Sequence, residues 1–79
     1  MPSGWKEALI QVVYDNSTFM NTYHLSNEYY QSRPTDTSLG NYGTSFAFGK
    51  ISKETFQISQ VNWAGNDVTQ SSKAYIYTR

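Results

Sequence analysis

The sequence predicts an all-β domain, a small antiparallel β-sandwich or barrel of about six strands. Three observations predict it. Short runs of alternating or β-branched apolar residues recur along the chain, and clusters of turn formers separate them. Aromatic residues make up 16% of the chain while charged residues make up only 15%, against about 25% in an average soluble domain. Ser, Thr, Asn and Gln stand where charge would be, and Thr and Tyr suit a pleated surface better than Lys and Glu do.

Residues 8–14 read Ala-Leu-Ile-Gln-Val-Val-Tyr and end at Asp15-Asn16-Ser17. A short β-branched run that stops at a turn cluster is a strand. The alternative is an α+β fold with a helix over residues 5–16, because Trp5, Ala8, Leu9, Val12 and Val13 also fit helical spacing. Residues 18–25 alternate, with Phe19, Tyr23 and Leu25 on one face and Met20, Thr22 and His24 on the other. Residues 29–32 then read as a strand returning antiparallel.

Residues 33–43 hold Pro34, Asp36, Ser38, Gly40, Asn41 and Gly43 and show no apolar pattern. They read as the long loop of the domain, a common place for binding residues. Residues 44–51 alternate again, with Phe46 and Phe48 opposite Ala47 and Gly49. In residues 55–63 the apolar parity switches between Ile58 and Val61, which predicts a bulge or a strand shared by two sheets. Ala64-Gly65-Asn66-Asp67 is the clearest turn. The last segment, residues 73–78, sets Ala74 and Ile76 against Tyr75 and Tyr77. The segment 25–31 also resembles 51–57 in residue order, which reads as two comparable hairpins.

A chain of 79 residues forms one domain, residues 1–79, with a modest core. It has no Cys, so neither disulfides nor thiolate metal sites stabilise it. Seven Tyr, four Phe and two Trp suggest tight packing of large side chains instead; self-association is the other route. No stretch approaches the ~18 apolar residues of a membrane helix. The first residues lack the apolar core of a signal peptide. A cytoplasmic location, or release without a signal peptide, is therefore expected, with no membrane span.

Chemistry is narrowed mostly by exclusion. The single His, His24, reads as a half-exposed strand residue without a catalytic base or nucleophile beside it. The six acidic residues are scattered and most lie at turns. No metal, cofactor or phosphate-binding pattern is present, and no enzyme is expected. Phe46-Ala47-Phe48 matches the aromatic centre of an RNA-stacking strand, but the basic and glycine positions around it are missing. It reads as an ordinary core-facing strand. Six basic and six acidic residues give zero net charge, so no nucleic-acid partner is expected.

Binding remains. The sequence places it on aromatic residues of one face together with the 33–43 loop. The candidates are Arg33, Asp36, Asn41, Tyr42, Trp63, Tyr75 and Tyr77. They combine a cation, an anion, an amide and rings. The mixture suits another protein or copies of the same chain, as in a small inhibitor or a coat or fibre subunit. A carbohydrate-binding module, with glycans as partner, is the alternative.

Overall fold

The computed structural model describes residues 1–30 and 35–79. It is built from strands β1 (Glu7–Tyr14), β2 (Ser17–Leu25), β3 (Thr35–Tyr42), β4 (Ser45–Ile51), β5 (Phe56–Trp63), β6 (Asn66–Asp67) and β7 (Ser72–Thr78). Two short 3-10 turns lie at Ser26–Glu28 and Thr69–Ser71. All pairings are antiparallel. The first sheet has the order β2-β1-β7 and the second β3-β4-β5-β6. No helix among the described residues is long and apolar enough to cross a membrane.

Local chemistry sets the hairpins. Asp15 and Asn16 both take left-handed φ values, 54° and 61°, in the loop between paired Tyr14 and Ser17. Such a two-residue loop matches the natural twist of the strands it joins. Ala64 and Gly65 repeat the geometry at 52° and 84° between Trp63 and Asn66, so the turn expected at 64–67 is present at 64–65, while Asn66 and Asp67 form β6. The four-residue loop between Ile51 and Phe56 is held by the buried Ser52 hydroxyl. Its Oγ accepts from the N–H groups of Glu54 at 3.3 Å and Thr55 at 3.1 Å. The bulge expected in residues 55–63 is also found. Phe48 pairs with Gln60 and Gly49 with Ile58, which leaves Ser59 as the extra residue.

One core joins the two sheets. Ala8, Ile10, Val12 and Met20 come from the first, and Leu39, Ala47, Ile51 and Val61 from the second, with Trp5 beside them. Ala74 and Ile76 pack against this core from β7. Met20 of β2 lies so close to β3 that a Cβ on Gly40 would sit 2.6 Å from its sulfur. A glycine there lets one sheet approach the other.

Several expectations are corrected. Residues 5–16 are not helical, because β1 pairs along its length with both β2 and β7. The supposed 33–43 loop is largely strand β3. Its Thr- and Ser-rich residues pair with β4, and the bulge that sets Leu39 apart between Ser38 and Gly40 hides the alternation. Tyr29 and Tyr30 form no strand, so the first half of the apparent repeat does not return as the second does.

The inward faces of β2 and β4 are the less apolar ones. Met20 and His24 point in while Tyr23 and Leu25 point out, because the register aligns Met20 with Val12 and His24 with Ala8. In β4 the small residues Ser45, Ala47 and Gly49 are buried, and Phe48 is exposed. A Cβ on Gly49 would meet Leu39 at 2.9 Å and the Phe56 ring at 3.0 Å, so space on that face exists only for small groups. The rings therefore do not fill the core. Trp5 is its one aromatic member among the described residues.

Candidate functional site

Because β1 buries Ala8, Ile10 and Val12, period two sends Glu7, Leu9, Gln11 and Val13 to the outer face of the first sheet. The register extends that face across three strands. Leu9 stands between Tyr23 of β2 and Tyr77 of β7. Gln11 stands between Asn21 and Tyr75, and Glu7 stands beside Leu25. Leu9, Tyr23, Leu25, Tyr75 and Tyr77 are all exposed, the tyrosines by about half: 56% for Tyr23, 49% for Tyr75 and 58% for Tyr77. The sheet thus carries an outward layer of rings and leucines with amides interleaved.

One end of the face is polar and ordered. The Tyr23 hydroxyl donates to Glu7 Oε1 at 2.6 Å, and Arg79 Nε donates to Glu7 Oε2 at 2.6 Å. The Tyr23 hydrogen bond, then the Arg79 guanidinium, hold the Glu7 carboxyl below its usual range. The same contact with the Glu7 carboxylate pushes Tyr23 up. The three groups rim an open depression whose floor includes Leu9 and Tyr77. Its chemistry is an apolar surface beside a fixed carboxylate and a guanidinium, all solvent-exposed.

The residues named from sequence are only partly brought together. Tyr75 and Tyr77 lie on this face. Asp36 and Asn41 lie on the second sheet, where Asp36 is opposite Lys50 and accepts from Ser59 Oγ at 3.0 Å, and Asn41 is opposite Phe46. Tyr42, 85% exposed, ends β3 at the hairpin tip before Gly43. Trp63 ends β5 with its ring 6.2 Å from that of Tyr14. Arg33 lies outside the described residues. Among the described residues, Asp36 and Asn41 of the 33–43 segment therefore lie in a different sheet from Tyr75 and Tyr77. Leu9, Tyr23, Glu7 and Arg79 were not among the candidates. The signal for them was the shared parity of Tyr75 and Tyr77, which becomes informative only once β1 is known to be their neighbour.

Two further groupings bring chemistry-bearing side chains together. Phe46 and Phe48 are not core-facing; they sit on the outer face of the second sheet with ring centroids 5.5 Å apart. His24 is buried rather than half-exposed. Its Nδ1 is 2.6 Å from the Tyr29 hydroxyl and its Nε2 is 3.1 Å from Thr22 Oγ1. Burial pushes its pKa down, and the Glu28 charge opposes this more weakly. Two hydroxyls that satisfy both ring nitrogens make a structural network inside the fold. Among the described residues no three His, Cys, Asp or Glu groups are placed to hold a metal ion. Comparisons with protein-family models, curated proteins and solved structures found no match to this chain.

Proposed function

We propose that this chain is a non-catalytic assembly module that binds protein through the outer face of the β2-β1-β7 sheet. The observation that carries the reading is the cross-strand layer of Tyr23, Leu9 and Tyr77, with Tyr75 and Leu25 beside it, all exposed. Aromatic residues are enriched at protein interfaces, and a flat layer of them on a sheet suits a large partner better than a small enclosed ligand. The second reading, a carbohydrate-binding face, is favoured by the rings of Tyr23 and Tyr77 next to the Glu7–Arg79 pair, which supply stacking and hydrogen bonding together.

One set of amide-resonance spectra separates these readings. The first reading expects shifts at Leu9, Gln11, Tyr23, Tyr75 and Tyr77 as protein concentration rises. It expects the Leu9→Ser/Tyr23→Ser double variant to lose them while its melting temperature changes by only a few degrees, as exposed positions allow. Shifts at the same residues on adding neutral oligosaccharides at fixed protein concentration would replace it with the glycan reading. Silence in both titrations would sink both.

A further inference from the structure

We propose that β7 pairs along its free edge with β7 of a second copy of this chain. The pairing is antiparallel and centred on Tyr75, and it joins two three-stranded sheets into one of six strands. The inference deepens the assembly reading and rests on it, because it names the partner and the contact.

The hydrogen-bond pattern identifies which groups are free. Glu7 and Arg79 exchange both backbone bonds, Glu7 N–H to Arg79 O at 2.9 Å and Arg79 N–H to Glu7 O at 3.1 Å. In an antiparallel ladder such pairs recur at every second residue. The unbroken register from Ala8–Thr78 to Tyr14–Ser72 then makes Tyr77 and Tyr75 the residues bonded to β1. Ser72, Ala74, Ile76 and Thr78 turn their N–H and C=O groups away from β1. β7 ends the strand order of its sheet. Among the described residues no backbone bond from outside the sheet reaches Ala74, Ile76 or Thr78.

The other edges are less open. β2 is drawn against β3 where Met20 packs over Gly40, and its pairing with β1 is broken by a bulge. β6 is only two residues long. β7 has no proline and no bulge and carries a single Lys, so it lacks most of the devices by which edge strands resist pairing.

The sequence of β7 selects the register. Centring on Tyr75 pairs Ala74 with Ile76 of the second copy, so their free N–H and C=O groups meet as bonded pairs, and it sets Thr78 opposite Ser72, whose N–H already bonds Thr69 O. On the outer face this sets Lys73 opposite Tyr77 of the second copy, in the non-bonded pairing where side chains are closest, and an ammonium beside a tyrosine ring is attractive. Centring on Ile76 would instead place Lys73 opposite Arg79, and like charges directly opposed are destabilising. With zero net charge, no long-range repulsion separates two copies. The pairing also sets two aromatic outer faces side by side.

Sedimentation equilibrium from about 10 µM to about 1 mM, the span expected for a small interface, tests it on the wild type, Ala74→Pro, Tyr75→Lys, Tyr75→Glu and an equimolar mixture of the last two. Wild type is expected to dimerise. Ala74→Pro is expected to weaken dimerisation about ten-fold or more, because it removes an outward N–H while leaving the ladder with β1 intact. Tyr75→Lys and Tyr75→Glu are each expected to weaken it similarly, because each opposes like charges at the axis. Their mixture is expected to recover it as a heterodimer. Tyr75 is exposed, so its variants decide the matter should Ala74→Pro fail to fold. A dimer indifferent to the folded variants would overturn the edge pairing and leave the assembly reading standing. A wild type that is monomeric throughout would overturn the edge pairing outright. Where the wild type associates, the assembly reading is judged separately, by whether the Leu9→Ser/Tyr23→Ser variant loses that association.

Discussion

His24 is where a single residue most affects the conditions under which the fold survives. Burial disfavours its charged form, so its folded pKa lies below the ordinary value of 6.5. The unfolded chain then binds a proton more readily than the native one. The contribution to stability is fully present above the unfolded pKa and is lost as pH falls toward the lower folded value. Denaturant unfolding is therefore expected to show lower stability at pH 5 than at pH 7. The His24→Gln variant should show a smaller difference between the same two pH values. An equal difference in both proteins would assign the pH dependence to other groups. The Glu7–Tyr23–Arg79 cluster is exposed and is screened by solvent, so it orders one end of the aromatic face without anchoring the fold.

At the scale of elements, the hairpins were the most legible part of the sequence. Asp15-Asn16 and Ala64-Gly65 are both left-handed pairs, and the residue types announce this at one position better than at another. Ala64 has a φ of 52°, where a Cβ crowds the backbone and Asn is better tolerated. Ala64→Asn is expected to stabilise the protein by about 0.5–1 kcal/mol, read as a raised denaturation midpoint with an unchanged slope. A lowered midpoint would show that the β5–β6 turn does not tolerate the longer side chain. Strand β3 was illegible for the converse reason. Thr, Asp, Ser, Gly and Asn have turn-forming habits locally, yet pairing with β4 from Thr35–Ile51 to Tyr42–Ser45 outweighs them. Local propensity spans only about 1 kcal/mol per residue in strands, less than a neighbouring ladder supplies over a whole strand.

For the molecule as a whole, the main consequence is a thin core under an aromatic exterior. The buried set is mostly small and medium aliphatic residues, while Tyr23, Tyr30, Tyr42, Phe48, Trp63, Tyr75 and Tyr77 are exposed. Rings left outside a small domain form the exposed apolar surface on which the proposed self-association rests. The outward Phe46–Phe48 pair, half-buried at Phe46 and exposed at Phe48, offers a stacking surface without a basic setting, since positive and negative residues balance at six each. Fluorescence anisotropy with labelled single-stranded and duplex oligonucleotides is expected to show no binding at physiological salt. Micromolar, salt-sensitive affinity would overturn that expectation.

What could be read from the residues alone is what short-range chemistry controls. Alternation and turn residues specified an antiparallel all-β chain, a turn within residues 64–67 and an irregularity between Ile58 and Val61, which pairing with β4 resolves as a bulge at Ser59. The alternation of Ala74 and Ile76 with Tyr75 and Tyr77 was visible, but not which pair faces water. The assembled sheets settle that, because a strand's inward side depends on its register with its neighbours rather than on its own composition. Met20 and His24 went inward with Ala8 and Val12, and small residues went inward on β4 because Leu39 and Phe56 already filled the space above Gly49. The separation of Asp36 and Asn41 from Tyr75 and Tyr77 has the same origin. They are in different sheets, and the long-range pairing that assigns strands to sheets leaves no local mark on the residues it separates.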